Sequence, residues 1–138
     1  MRKLRVLIAD DHEQIRSAIV QLLSNDFKIV GVAGDGEELV DSAVSLNPDV
    51  IVTDISMPLL SGPEALKELS ARGYDIPFVL VSMNPLGADE FIRRGASAVV
   101  DKLDIAHELA PAVHSAALGQ MHVSRTASNK TANSVPSR

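Results

Sequence analysis

Cysteine is absent from the 138-residue chain, which removes disulfides, thiolate nucleophiles and Cys-based zinc sites together and is compatible with a reducing compartment. Aromatic residues make up only 3% against 46% apolar residues, so the interior must be built from Val, Ile, Leu and Ala, the composition of layered α/β packing. The same scarcity disfavours base stacking on single-stranded nucleic acid. Positive charge is also short, with 13 Lys and Arg against 18 Asp and Glu and a net charge of −5, which argues against a general phosphate-backbone binder. No direct DNA binding by these residues is expected. Long apolar runs are missing too: none approaches the ~20 residues needed to span a bilayer. The basic start Met1-Arg2-Lys3-Leu4-Arg5 leads into Val6-Leu7-Ile8-Ala9, which stops at Asp10-Asp11 and is too short for a signal-peptide core. A cytoplasmic protein with no membrane partner is the default expectation.

What is present alternates. Leu4 to Ala9 reads as a buried strand, and Asp10-Asp11-His12 ends it and opens a helix carrying Ile15, Ile19, Leu22 and Leu23 at helical spacing. Lys28 to Ala33 is a second strand, followed by Gly34-Asp35-Gly36 as a turn and helix start. A dinucleotide loop fits poorly there, because Leu39 stands where a third glycine should be. Val50 to Asp54 is β-branched, lies between Pro48 and Pro58 and shows no polar alternation, which suits a central parallel strand covered on both faces. Pro63 fits the first turn of the next helix and Gly73 its stop. Pro77 to Ser82 is a fourth strand, Asn84-Pro85 a turn, Asp89 to Arg94 the end of a short helix, and Ala98 to Asp101 a fifth strand. Asp104 is placed to cap a last helix with Ile105, Leu109, Ala112, Val113 and Ala116 on one face, while Pro111 inside it predicts a kink or local break. Residues 1–121 are read as one domain and 122–138 as a polar, disordered tail or linker stub.

Five strand-helix alternations give, by the right-handed crossover rule, a parallel sheet with helices on both faces. The carboxyl ends of its strands share one rim, which carries Asp10, Asp11, Asp54, Ser82 and Lys102. Clustered carboxylates repel and are stabilised by a cation, and all-oxygen ligands point to magnesium or another hard ion. Lys102 adds fixed positive charge and Ser82 a hydroxyl, both suited to a phosphoryl oxygen. Together these groups meet the needs of phosphoryl transfer to an aspartate, with Asp54 as nucleophile. Any one of these residues alone reads as a strand-end turn residue. His12 is taken as a solvent-facing first-turn residue, and His107 and His114 as solvated surface histidines.

Leu4 to His12, Gly34-Asp35-Gly36-Glu37-Glu38, Asp54 to Gly62, Ser82, Gly95-Ala96-Ser97-Ala98 and Lys102, in that order, resemble the receiver domain of two-component response regulators. The resemblance covers about residues 4 to 120 and is strongest toward the NarL/FixJ group, whose receivers precede a LuxR-type helix-turn-helix. It implies a flavodoxin-like three-layer α/β sandwich of five β-α units, strand order 2-1-3-4-5. It implies phosphoryl acceptance at Asp54 from a sensor histidine kinase or a small phosphodonor. Lys102 and Ser82 would assist, and Mg²⁺ would be held by Asp10, Asp11, Asp54 and the Ser56 carbonyl. Such a protein phosphorylates and dephosphorylates itself and turns over no external substrate. Its output is an effector protein or a homodimer engaged through the face of the fourth helix, fifth strand and fifth helix.

Three departures from the family pattern stand out. Val99 occupies the position usually held by Tyr or Phe, Met83 one usually held by a small residue, and Leu103 one often held by proline after a cis bond; before a non-proline residue a cis bond costs about 3 kcal/mol, so trans is expected. Val99 and Met83 keep a rival open, a degenerate receiver acting as a phosphorylation-independent interaction module. A haloacid-dehalogenase-type phosphatase is a weaker rival, because it wants a second Asp two positions after the nucleophile and Ser56 stands there. The chain is read as either a stand-alone receiver or a fragment whose output lies elsewhere.

Overall fold

The computed structural model describes residues 2–84, 86–120 and 122–123. Strands β1 (Arg5–Ala9), β2 (Lys28–Ala33), β3 (Val50–Asp54), β4 (Phe78–Ser82) and β5 (Ala98–Asp101) alternate with helices α1 (Glu13–Leu23), α2 (Gly36–Leu46), α3 (Gly62–Ala71), α4 (Ala88–Arg93) and α5 (Ile105–Ala117). All strand pairings are parallel, and the order from one edge is β2-β1-β3-β4-β5, the flavodoxin-like arrangement expected. A sixth short strand, β6 (His122–Val123), pairs in parallel with Ala98 and Val99 of β5 and extends that edge. It falls just past the expected domain end at residue 121, and residues 124–138 of the expected tail lie outside the described residues.

The strands are apolar without interruption because each serves two cores. Leu7, Ile51, Phe78, Leu80 and Val99 point to one face, where Leu39, Val40, Leu66 and Leu69 of α2 and α3 cover them. Val6, Ile8, Val50, Val52, Val79, Val81 and Val100 point to the other, covered by Ile19, Leu23, Leu109 and Val113 of α1 and α5. Alternate side chains of one strand go to opposite faces, so a central strand with helices on both sides has no solvent face to make polar. At roughly 1.5–3 kcal/mol for each large apolar side chain buried, these two cores fix the sheet that carries the rim.

Helix ends follow local chemistry. Asp35 caps α2 by accepting from the Glu38 amide at 2.8 Å. Ser61 and Glu64 form a reciprocal capping box at the start of α3, with Pro63 in its first turn. Gly73 follows α3 at φ 89°, the left-handed stop that glycine allows. Two expectations change. Asp104 occupies the position before α5 without making a capping hydrogen bond, and the capping carboxylate nearby is Asp101, which accepts from the Leu103 amide at 3.0 Å. Helix α5 also runs unbroken through Pro111. Pro111 lies on the exposed side, so the carbonyl that loses its N–H donor belongs to His107, itself an exposed residue that water can reach.

Candidate functional site

Four strand ends build the rim. Ala9 pairs with Thr53, Asp54 with Val81 and Ser82 with Asp101. The residues at or just past these ends, Asp10, Asp11, Asp54, Ser82 and Lys102, therefore converge as the sequence predicts. Asp10 is fully buried, Asp54 and Ser82 nearly so, while Asp11 faces outward. Lys102 reaches across from β5 with its side chain only 9% exposed. Its Nζ donates to Asp54 Oδ2 at 3.0 Å and stands 3.7 Å from Asp10 Oδ2. A cleft of about 470 Å³ opens over these groups, with Ser56, Ser82, Met83, Phe91 and Lys102 in its walls.

The backbone holds the acidic pair from below. The Asp10 amide donates to the Ala33 carbonyl at 3.0 Å, its carbonyl accepts from Arg16 at 3.0 Å, and its Oδ1 accepts from the His12 amide at 2.8 Å. Its Oδ2 has no hydrogen-bond donor, and among the described residues it is the one buried side-chain polar atom in that condition. An orphaned carboxylate oxygen inside a cluster of like charge is the condition that a cation relieves. One ligand atom each from Asp10, Asp11, His12 and Asp54 lies within 4.8 Å of the others. The donor set therefore fits a divalent metal, and its carboxylates suit a hard ion such as Mg²⁺.

Ser82 is on the rim, but its hydroxyl is engaged locally, donating to the Asn84 carbonyl at 2.7 Å and accepting from the Asn84 amide at 3.0 Å. Met83 does not plug the cleft; it is 65% exposed at its lip. Val99 is buried in the α2-α3-α4 core opposite Leu80. No peptide among those described is cis, so the Lys102–Leu103 bond is trans as expected. His107 and His114 are exposed, the latter with its ring centroid 4.7 Å from that of Phe27.

Three groups escaped the sequence reading. Arg16 braces the Asp10 carbonyl from α1, at a spacing that carries no local signal. Phe91 enters the cleft from α4. Asp101 turns the chain just after Lys102, and an Asp two residues before the amide it accepts is a readable turn signal. His12 is solvent-facing as expected, 65% exposed, yet its Nδ1 sits 3.2 Å from Asp11 Oδ1 and 3.5 Å from Asp10 Oδ1.

Comparison with known proteins agrees with this geometry. The family model of the response regulator receiver domain matches residues 6–114. The nitrate/nitrite response regulator protein NarL of Escherichia coli is 34% identical over 123 residues, covering 86% of this chain and 57% of that protein. The transcriptional regulatory protein LiaR of Bacillus subtilis is 35% identical over 122 residues, covering 85% and 57%. The solved signal receiver domain of a NarL response regulator from Mycobacterium tuberculosis superposes with a TM-score of 0.81 at 27% identity, covering 87% of this chain and 100% of that one. The chain thus spans little more than half the length of the two curated relatives. The family match begins inside β1 and ends inside α5, taking in every strand end that feeds the rim, and the chain belongs to the response regulator receiver domains of two-component systems.

Proposed function

We propose that this receiver accepts a phosphoryl group on Asp54, from a sensor histidine kinase or a small phosphodonor in the cytoplasm, and thereby switches a protein-binding surface. The observation that carries the reading is the Lys102 ammonium held 3.0 Å from the Asp54 carboxylate, beside the donorless oxygen of Asp10. Asp54 forms the new O–P bond with a carboxylate oxygen as the bond from phosphorus to its donor breaks, and the leaving group takes the bonding electron pair. Lys102 neutralises charge on the incoming phosphoryl oxygens, and the Ser82 hydroxyl offers them a donor. Asp10, Asp11, Asp54 and the Ser56 carbonyl would hold Mg²⁺, which when bound offsets the negative charge of carboxylates and phosphoryl group together. The aspartyl phosphate adds nearly two negative charges to the rim, and its loss to water completes one cycle without turnover of an external substrate. The surface of α4, β5 and α5 would then meet an effector protein or a second copy of the chain. With a net charge of −5, no direct DNA binding by these residues is proposed.

The test is incubation with acetyl phosphate and Mg²⁺ followed by intact-protein mass spectrometry. One phosphoryl mass is expected on the wild type and none on Asp54→Asn; no adduct, or one that persists in the variant, refutes the reading. Val99, buried where an aromatic relay residue commonly stands, favours the second reading of a phosphorylation-independent interaction module. Mg²⁺ titration separates the two, since an acidic rim that binds no metal supports the second.

A further inference from the structure

We infer that His12 supplies a nitrogen ligand to the rim through Nδ1, and that the site therefore takes a first-row transition ion such as Mn²⁺ in preference to Mg²⁺. The inference rests on the reading of the acidic rim as a metal site and adds a residue and a selectivity to it.

The geometry starts in the backbone. His12 has extended φ/ψ of −96° and 111° at the position before α1. Its amide is tied to Asp10 Oδ1 at 2.8 Å. That tie folds the residue back over the carboxylate two positions earlier. The imidazole consequently lies along the rim, with Nδ1 3.2 Å from Asp11 Oδ1 and 3.5 Å from Asp10 Oδ1. Metal-to-ligand bonds of about 2.0–2.2 Å place opposite ligands about 4.0–4.4 Å apart. The ligand atoms of Asp10, Asp11, His12 and Asp54 already lie within 4.8 Å of one another, so a few tenths of an ångström of inward movement brings all four into one coordination sphere.

A cluster of acids alone would carry little. The independent sign is Asp10 Oδ2, fully buried and without a donor, in a pocket whose ammonium gives its hydrogen bond to Asp54. Among the described residues no other buried side-chain polar atom is left in this way. The His12 side chain is 65% exposed, so the ring can turn Nδ1 inward without leaving a packed position.

Selectivity follows from donor chemistry. A carboxylate and carbonyl site takes Mg²⁺ readily, because Mg²⁺ prefers oxygen ligands. Replacing one oxygen or water by imidazole favours the first-row transition ions, which bind nitrogen more strongly than Mg²⁺ does.

Mn²⁺ alone serves as the probe. Its binding to wild type, His12→Ala, His12→Asn and Asp54→Asn is followed by electron paramagnetic resonance, with pulsed detection of nitrogen coupling to the bound ion and calorimetric titration of Mg²⁺ alongside. Nitrogen modulation is expected in the wild type and absent in both His12 variants. Mn²⁺ affinity is expected to fall about tenfold in His12→Ala, some 1.4 kcal/mol, with Mg²⁺ affinity changed less than about twofold. Mn²⁺ bound without nitrogen modulation in the wild type, or with modulation that survives loss of His12, overturns the inference and leaves the acidic metal site standing. Failure to bind Mn²⁺ or Mg²⁺, or binding indifferent to Asp54→Asn, overturns the metal site itself.

Discussion

Replacing Asp54 with Asn is expected to stabilise the metal-free protein although it removes the buried partner of Lys102. The Lys102–Asp54 separation of 3.0 Å corresponds to about 5.5 kcal/mol of gross attraction at an effective dielectric of about 20. Against it stands repulsion from Asp10, whose ligand oxygen lies within 4.8 Å of that of Asp54, at least about 3.5 kcal/mol on the same scale. Asp11 adds a smaller repulsion, discounted to about 1–2 kcal/mol because it is solvated. These terms nearly cancel. The desolvation of Asp54, only 7% exposed, then decides the sign, since Asn carries no charge to bury. Asn also keeps an oxygen for the Lys102 ammonium. A net gain on the order of 1 kcal/mol, a few degrees in unfolding temperature for a domain of this size, is the expected result with chelator present. Excess Mg²⁺ should reverse the ranking, because metal that binds only the folded state stabilises the wild type more than the variant. Thermal unfolding followed by circular dichroism, with chelator and then with Mg²⁺, measures both. An Asp54→Asn protein that melts below the wild type in chelator refutes the claim that carboxylate repulsion dominates the metal-free rim.

Gly62→Ala should cost about 2 kcal/mol, because a Cβ there would stand 2.4 Å from the Asp54 carbonyl oxygen, a backbone atom that cannot turn aside; an unchanged urea midpoint would contradict it. Ser61→Ala removes one half of the α3 capping box and should cost about 1 kcal/mol in the same assay, without altering phosphoryl uptake. Ser82→Ala deletes both hydrogen bonds to Asn84, so amide exchange at Asn84 and Leu86 should quicken about fivefold, the equivalent of 1 kcal/mol, while α3 amides stay as they were. Hydrogen bonds from Arg93 and then Arg94 hold the Glu90 carboxyl below the usual glutamate range. Its contribution is therefore present above the unfolded pKa and lost as pH falls through the lowered folded one. Carboxyl carbon NMR should find the midpoint raised in the Arg93→Gln, Arg94→Gln protein, and an unmoved midpoint would refute the assignment.

The parallel sheet could be read from the sequence because its strands are nearly pure signal. Runs such as Val50-Ile51-Val52 are apolar on both faces and closed by Pro, Gly or Asp, so pattern and punctuation agree. The rim was legible for the same reason, since strand ends of a parallel sheet share one edge and only a few polar residues stand there. Contacts made by long side chains across the fold were not legible. Arg16 reaches the Asp10 carbonyl from α1, and the Ser82 hydroxyl is tied to Asn84; neither follows from periodicity. Strand β6 escaped because a strand of two residues, His122–Val123, leaves no apolar run to read. Pro111 misled because the rule against proline in helices assumes that the freed carbonyl lacks solvent, and here it does not.

The bond from Ser82 to Asn84 bears on how a phosphorylated rim would be heard at the surface. A hydroxyl has one proton, so Ser82 cannot donate to a phosphoryl oxygen and to the Asn84 carbonyl together. Engaging the former releases the loop that leads to Gly87, which sits at φ 90°, and to α4, six residues long and without a side-chain cap at its start. A helix this short has few internal hydrogen bonds to resist a shift of its first turn. Val99 stands on β5 next to this path, opposite Leu80. Its side chain is fully packed among the residues under α4 and too short to reach from the core to the surface. On the proposed reading, a change at Asp54 therefore reaches the partner-binding face through the loop after Ser82 and the position of α4, with Val99 as a fixed floor for that movement instead of a moving part.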